Sequence, residues 1–154
     1  MADKFTLGID IGTSGVKASV LDVDNGKVVA HSLKEHPLFH PKPGYAEQEG
    51  DNYWKAVVAA TKDCFNQGSY ADKIAGVSLS GLVGVMLPID KEGKPVRPGM
   101  IWMDSRSEEE CDDIRKSVGE DKINFINGNR LAPWFVEPKA LWMKKHEPEN
   151  FEKT

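Results

Sequence analysis

The chain opens on two runs of alternating bulky apolar residues, Phe5 to Ile11 and Val16 to Val23, separated only by Gly12-Thr13-Ser14-Gly15. A period of two belongs to half-buried strands, and a connection this short joins antiparallel neighbours, so the two runs read as a hairpin. Asp24-Asn25-Gly26 supplies the residues of a tight turn, after which Lys27 to Leu33 reads as a third strand paired with the second. Asp51 can then cap a helix whose apolar positions Tyr53, Trp54, Val57, Val58, Cys64 and Phe65 share a face. Ile74 to Leu79 is a short continuous apolar strand, and its place after a helix predicts a parallel, buried position in the same sheet. The fold class is therefore α/β, with a mixed sheet that opens on three antiparallel strands and is flanked by helices.

Beyond that sheet, the proline-rich stretch His36 to Gly44 reads as a loop, Val83 to Ile89 as extended, and Asp90-Lys91-Glu92-Gly93 as a turn before Pro95 to Trp102. Ser107 with Glu110 three residues on has the form of a capping box, and Cys111, Ile114 and Val118 give the following helix an apolar stripe. A further helix is predicted with Pro138 at its first position, Leu141, Trp142 and Lys145 in its body, and a stop before Pro148. A length of 154 residues suits one core, hence one domain or part of one. With 40% hydrophobic and 29% charged residues the composition is that of a globular chain, which excludes disorder. The net charge of -4 and scattered lysines form no basic stripe, so nucleic acid is not an expected partner. Leu82 to Ile89, the longest apolar run, is broken by Gly84 and Pro88 and falls far short of the roughly 20 residues that cross a bilayer. With no secretory signal at the start, a cytoplasmic protein is expected. Cys64 and Cys111 lie outside ligand spacing from His31, His36, His40 and His146, and read as buried free thiols.

Chemistry concentrates in Gly8-Ile9-Asp10-Ile11-Gly12-Thr13-Ser14-Gly15-Val16-Lys17, where a carboxylate ends one strand and a glycine- and hydroxyl-rich turn leads into the next. Gly12 and Gly15 let a backbone approach an anion, neighbouring amides can form a nest, and Thr13 and Ser14 can donate to phosphate oxygens. Asp10 would repel a bare phosphate, so its sensible role is to hold Mg2+ through water. Strand-turn-strand context and spacing both differ from a Walker loop. Taken alone, the motif is also compatible with an ordinary hairpin turn.

Asp10-Ile11-Gly12-Thr13-Ser14, Pro41-Lys42-Pro43-Gly44-Tyr45-Ala46-Glu47-Gln48, Ile101-Trp102-Met103-Asp104-Ser105-Arg106 and Pro138-Lys139-Ala140-Leu141-Trp142 follow one another across nearly the whole chain. In that order and spacing they resemble the FGGY carbohydrate kinases, the family of xylulose, gluconate and glycerol kinases. The resemblance implies an actin-like, ribonuclease-H-like domain, with ATP in a cleft between two such domains and the sugar beside it in the first. It implies transfer of the terminal phosphoryl group of ATP to a sugar or polyol hydroxyl, with Mg2+ neutralising charge and a carboxylate taking the hydroxyl proton. On this reading residues 1–154 are the N-terminal part of the first domain, and the aspartate base and the second domain lie beyond Thr154, leaving the isolated chain inactive.

For the nucleotide, the resemblance assigns Asp10, Gly12, Thr13, Ser14 and Lys17, with Asp10 on Mg2+ through water. For the sugar, it assigns Trp102, packing its indole on the carbon skeleton, and Asp104, accepting sugar hydroxyls. Those two also suit a core aromatic and a helix-start cap, and Arg106 either pairs with a carboxylate or is solvated. Val83 and Gly84 stand where xylulose kinases show the last two residues of Gly-Gln-Met-His, which touch the sugar, so a side-chain donor is missing there and the acceptor stays open. An aromatic at Trp134 or Phe135 can border the pocket or lead into a packed helix, and Trp142 reads as core. A homodimer is a compatible state. Two other functions fit the same residues: a sugar- or phosphate-binding module without chemistry, and an actin-like ATPase without a sugar acceptor, the latter disfavoured by Trp102 and Asp104.

Overall fold

Alternation at the start of the chain becomes a hairpin in the computed structural model, which describes residues 4–154. Strands β1 (Phe5–Ile11) and β2 (Gly15–Asp22) pair antiparallel from Phe5↔Asp22 to Ile11↔Val16, and β3 (Val28–Glu35) pairs antiparallel with β2. Period two sends Phe5, Leu7, Ile9, Val16, Ala18, Val20 and Ala30 to one face, where all are buried. Helix α1 (Gly50–Phe65) packs on this face through Ala56, Ala60 and Cys64, an i, i+4, i+8 row of small side chains. Of the face expected from the larger residues, Cys64 is buried and Val57 and Phe65 pack against the core, whereas Trp54 is 69% exposed. Short side chains win because they bring the helix axis close to a sheet already filled by Val16, Val20 and Ile9.

After a single 3-10 turn at Ala71–Lys73, β5 (Ile74–Gly81) pairs parallel with β1, and the sheet order is β3-β2-β1-β5. Parallel placement is as predicted, whereas burial is not: Val77 and Leu79 are 60% and 70% exposed. Register sets Val77 opposite Leu7 and Leu79 opposite Ile9, on the core face, but the cluster under α1 reaches this strand only at Ile74. Together, residues 4–37 and Asp51–Leu82 form one compact unit.

Leu38–Gly50 and Val83–Thr154 form a second unit with its own interior. In it β4 (Glu47–Gln48) pairs antiparallel with β6 (Gly99–Met100), and bridges at Phe39↔Glu47, Met86↔Met100 and Ile89↔Pro95 extend the pairing. Val83 to Ile89 thus carries bridges rather than a full strand, and the Asp90 turn closes as expected, with Gly93 at φ 79°. Helices α2 (Glu108–Val118), α3 (Glu120–Asn127), α4 (Val136–His146) and α5 (Pro148–Lys153) follow. Met86, Met100, Trp142 and Met143 make one apolar cluster, and Cys111, Ile123 and Leu131 another. Both cysteines are buried and free, as expected.

Three helix-start predictions fail locally, the first because α1 begins at Gly50 and so takes Asp51 into its first turn rather than as its cap. The Ser107 hydroxyl donates to the Pro133 carbonyl at 3.2 Å, and the Glu110 carboxylate accepts from Lys145 at 3.1 Å, so no reciprocal capping box forms. Pro138 is the third residue of α4, not the first. Among the described residues no helix is long and apolar enough to cross a membrane.

Candidate functional site

The first cluster is the β1–β2 turn. Its two-residue tip is Thr13-Ser14, because Gly12 and Gly15 continue the register and the Gly12 N–H donates to the Gly15 carbonyl at 3.0 Å. Gly12 and Gly15 serve close approach rather than left-handed geometry, since neither has positive φ. A Cβ on Gly15 would lie 2.6 Å from the Lys34 carbonyl of β3, so its missing side chain is accounted for inside the sheet. A Cβ on Gly12 would lie 3.2 Å from the Gly15 carbonyl.

Cross-strand pairing sets Asp10 directly opposite Lys17, and their side chains meet at 3.4 Å while remaining largely open to solvent. Carboxylate, ammonium and two hydroxyls thus stand at one end of the hairpin. His36, buried just after β3, fastens this end. Its backbone N–H donates to the Ser14 carbonyl at 3.3 Å, and its ring Nε2 lies 3.1 Å from the Gly12 carbonyl, which can only accept, so Nε2 carries the proton. The ring stands edge-on to Tyr53 of α1, at 4.8 Å between centroids.

Among the described residues no group of three or more His, Cys, Asp or Glu could hold a metal, so the chain offers no protein cage. One accessible carboxylate beside two hydroxyls instead suits Mg2+, which keeps several waters and is shared between one or two carboxylates and nucleotide phosphates. The residues present therefore fit a magnesium–nucleotide complex.

A second cluster lies within the other unit. Gly84 has φ +71°, and a Cβ there would come 2.5 Å from the Trp134 carbonyl and 3.5 Å from the Trp102 Cβ, so Gly84, Trp102 and Trp134 are immediate neighbours. No larger residue fits, which explains physically why a side-chain donor is missing from this position. Trp102 and Trp134 are about half exposed, Val83 is almost fully exposed, and both indoles border a groove of about 730 Å³ lined also by Met103, Arg130 and Pro133.

Asp104 sits differently. Its side chain has no exposed surface. One oxygen accepts the Ala46 N–H at 2.7 Å, and Arg106 grips both oxygens through Nε and Nη2 at 2.7 to 3.1 Å. Arg106 also reaches Glu47 at 2.6 Å and lies 3.6 Å above the Tyr45 ring. Burial opposes the guanidinium charge, but the hydrogen bonds it donates to the Asp104 and Glu47 carboxylates outweigh this and hold Arg106 above its ordinary pKa. Of the two readings of Arg106, pairing is the one realised. Asp104 consequently fixes the turn that presents Trp102, and its oxygens are already engaged by protein donors.

Sequence reasoning missed Lys139. It has no exposed surface, and its Nζ donates to the carbonyls of Gly84, Ile101 and Trp134 at 2.5, 2.8 and 3.0 Å. A lysine on an amphipathic helix ordinarily reads as solvent-facing; the only signal was its place in the Pro138–Trp142 motif.

The description "FGGY family of carbohydrate kinases, N-terminal domain" matches residues 5–154. The xylulose kinase of Bacillus subtilis is 35% identical over 152 residues, covering 98% of this chain and 30% of that protein. The xylulose kinase of Staphylococcus xylosus is 33% identical over 149 residues, covering 97% and 30%. Among solved structures, a ligand-bound xylulose kinase from Lactobacillus acidophilus aligns with a TM-score of 0.89 at 26% identity, over 98% of this chain and 30% of that one. The chain thus spans about 30% of the length of the curated relatives it matches. Its mixed sheet and helices have the actin-like ATPase fold of these kinases. By its sequence along nearly its whole length and by its fold, the chain belongs to the FGGY family of carbohydrate kinases, within the family's N-terminal domain.

Proposed function

We propose that this chain is the phosphate- and sugar-holding part of an ATP-dependent kinase that phosphorylates a hydroxyl of a sugar or polyol. The observation that carries the reading is the fastened hairpin end, where Asp10, Lys17, Thr13 and Ser14 stand together on a turn whose two carbonyls are held by His36. Thr13 and Ser14 donate to phosphate oxygens, Gly12 lets the chain pass close beside them, and Lys17 supplies a point charge. Asp10 orients water on Mg2+, which when bound with the nucleotide neutralises charge on the transferring group. On the acceptor side Trp102 packs on the carbon skeleton, with Gly84 close beside it, Val83 exposed next in the chain, and Asp104 holding the turn that carries the indole.

Phosphoryl transfer forms a bond from the acceptor oxygen to the γ-phosphorus, breaks the bond to ADP, and needs a base for the hydroxyl proton. Asp104 is enclosed by Arg106 and Asp10 stands at the phosphate end, so neither is assigned as the base, which the family resemblance puts in a segment beyond Thr154. Use of ATP is consistent with a cytoplasmic site of action.

A coupled assay of ADP formation with MgATP, on the polypeptide that contains this chain, tests the reading against D-xylulose, glycerol and gluconate. Formation that depends on one acceptor is expected. Formation without any acceptor would identify an ATPase, and none with any acceptor would leave a binding module.

A further inference from the structure

Three segments far apart in sequence must stay in place for the acceptor side to exist: the Gly84 turn, the Ile101–Ser105 turn that carries Trp102, and the Trp134 lead into α4. Each presents a backbone carbonyl inward, and all three carbonyls converge on one ammonium, Lys139 Nζ. Lys139 itself is fixed near the start of α4 and has no exposed surface. Three donors meet three acceptors, so the charge is satisfied by a three-legged cradle with none to spare. Among the described residues no carboxylate pairs with the ammonium in this cradle; Asp104 acts on it through space, opposed by Arg106.

We infer that Lys139 is the positioning residue of the acceptor site, one ammonium that sets Gly84, Trp102 and Trp134 at their mutual distances and so shapes the surface on which the sugar lies. This rests on the kinase reading for the identity of the ligand, but not for the cradle. A purely structural lysine would support the fold as a whole. Here the three carbonyls belong to the residues that define one surface, two of them to Gly84 and Trp134 themselves and the third to the residue before Trp102.

Titration of the ammonium separates the two roles. Burial pushes the Lys139 pKa down from 10.5 to about 8, against the pull of Asp104 and with the push of Arg106. Above that value the folded protein holds a neutral amine with two N–H groups for three carbonyls, and one leg of the cradle is lost. The unfolded chain keeps its proton until near pH 10.5, so between the two values it binds more protons and this group's contribution to stability rises with pH. Acceptor binding and stability therefore move in opposite directions.

The experiment compares the parent kinase containing this chain with Lys139→Met, which keeps the stem and removes the donors. Expected are a KM for the acceptor that supports ADP formation, among D-xylulose, glycerol and gluconate, raised about 10–100-fold and a KM for MgATP within about twofold of the parent. Equal changes in both, or in neither, would overturn the inference. If Lys139→Met does not fold, the parent is assayed from pH 7 to 9.5; the KM for the same acceptor should climb above about pH 8 while that for MgATP does not, and a flat acceptor KM would overturn the inference. If the parent phosphorylates no sugar, the kinase reading fails by itself, and the cradle is read by hydrogen exchange on the parent chain across the same pH range. The Asp104 and Phe135 amides, which bond to Ile101 and Ala132, should lose protection above pH 8 beyond the intrinsic rise shown by the β1–β2 amides. Parallel behaviour of both sets would overturn it.

Discussion

At the scale of single residues, exposure decides what a charge can do. Asp10 and Lys17 meet across the hairpin with side chains 46% and 66% exposed, and so open a pair contributes little to stability. Its value lies in what it presents. Replacing Asp10 by Asn should leave the urea midpoint unchanged while raising the KM for MgATP about 10–100-fold, the cost that follows from the proposed role, in which this carboxylate would orient metal-bound water. An unchanged KM would remove Asp10 from the site. Asp10 and Lys17 were legible in the sequence because strand period and turn length together fix which residues face each other. Asp104 and Lys139 were not. The enclosure of Asp104 depends on the Ala46 amide, 58 residues away, and that of Lys139 on carbonyls at Gly84 and Ile101, 55 and 38 residues away. No local pattern encodes such partners.

At the scale of elements, the sheet's tolerance is set by which backbones approach one another. Gly15 and Gly8 both lie in the first hairpin, yet a Cβ on Gly15 would meet the Lys34 carbonyl at 2.6 Å, whereas one on Gly8 would meet nothing within 4 Å. Gly15→Ala must force β2 and β3 apart, so its expected cost is about 1–3 kcal/mol, comparable to overpacking. Gly8→Ala should be neutral or slightly stabilising, because it only restricts the unfolded chain. Urea unfolding of the two variants checks the contrast, and equal midpoints would refute it. The same contrast shows what sequence could reveal of the elements. β1, β2 and β3 were legible since alternation sets one face of each toward the core and the other away from it, most clearly in β1 and β2. The buried row of α1 was not, because Ala56 and Ala60 contribute little to apolar periodicity although they decide the approach of helix to sheet. α3 and α5 were missed for a related reason: α3 leaves Phe125 90% exposed and α5 is only six residues long, so neither carries a usable stripe.

At the scale of the whole molecule, the chain has two interiors of different character. One is an aliphatic core between sheet and α1, with Cys64 fully buried in it. The other combines small apolar clusters with a buried ionic network of Glu47, Asp104, Arg97 and Arg106, and has Cys111 fully buried. Buried ion pairs are asymmetric: forming them adds little, but removing one partner strands the other without water, at about 3–5 kcal/mol. Asp104→Asn would leave Arg106, 2% exposed, with Glu47 as its remaining carboxylate, one that Arg97 also needs. The damage should stay within the second unit. Each thiol reports on its own interior, and burial pushes the Cys111 pKa up to about 11, so at pH 8 it reacts only when its surroundings open. In the Asp104→Asn variant, labelling of Cys111 by a disulfide reagent should accelerate at urea concentrations where Cys64 stays as protected as in the parent. If both thiols accelerate together, the two units unfold as one, and the ionic network supports the aliphatic core as much as the turn that bears Trp102.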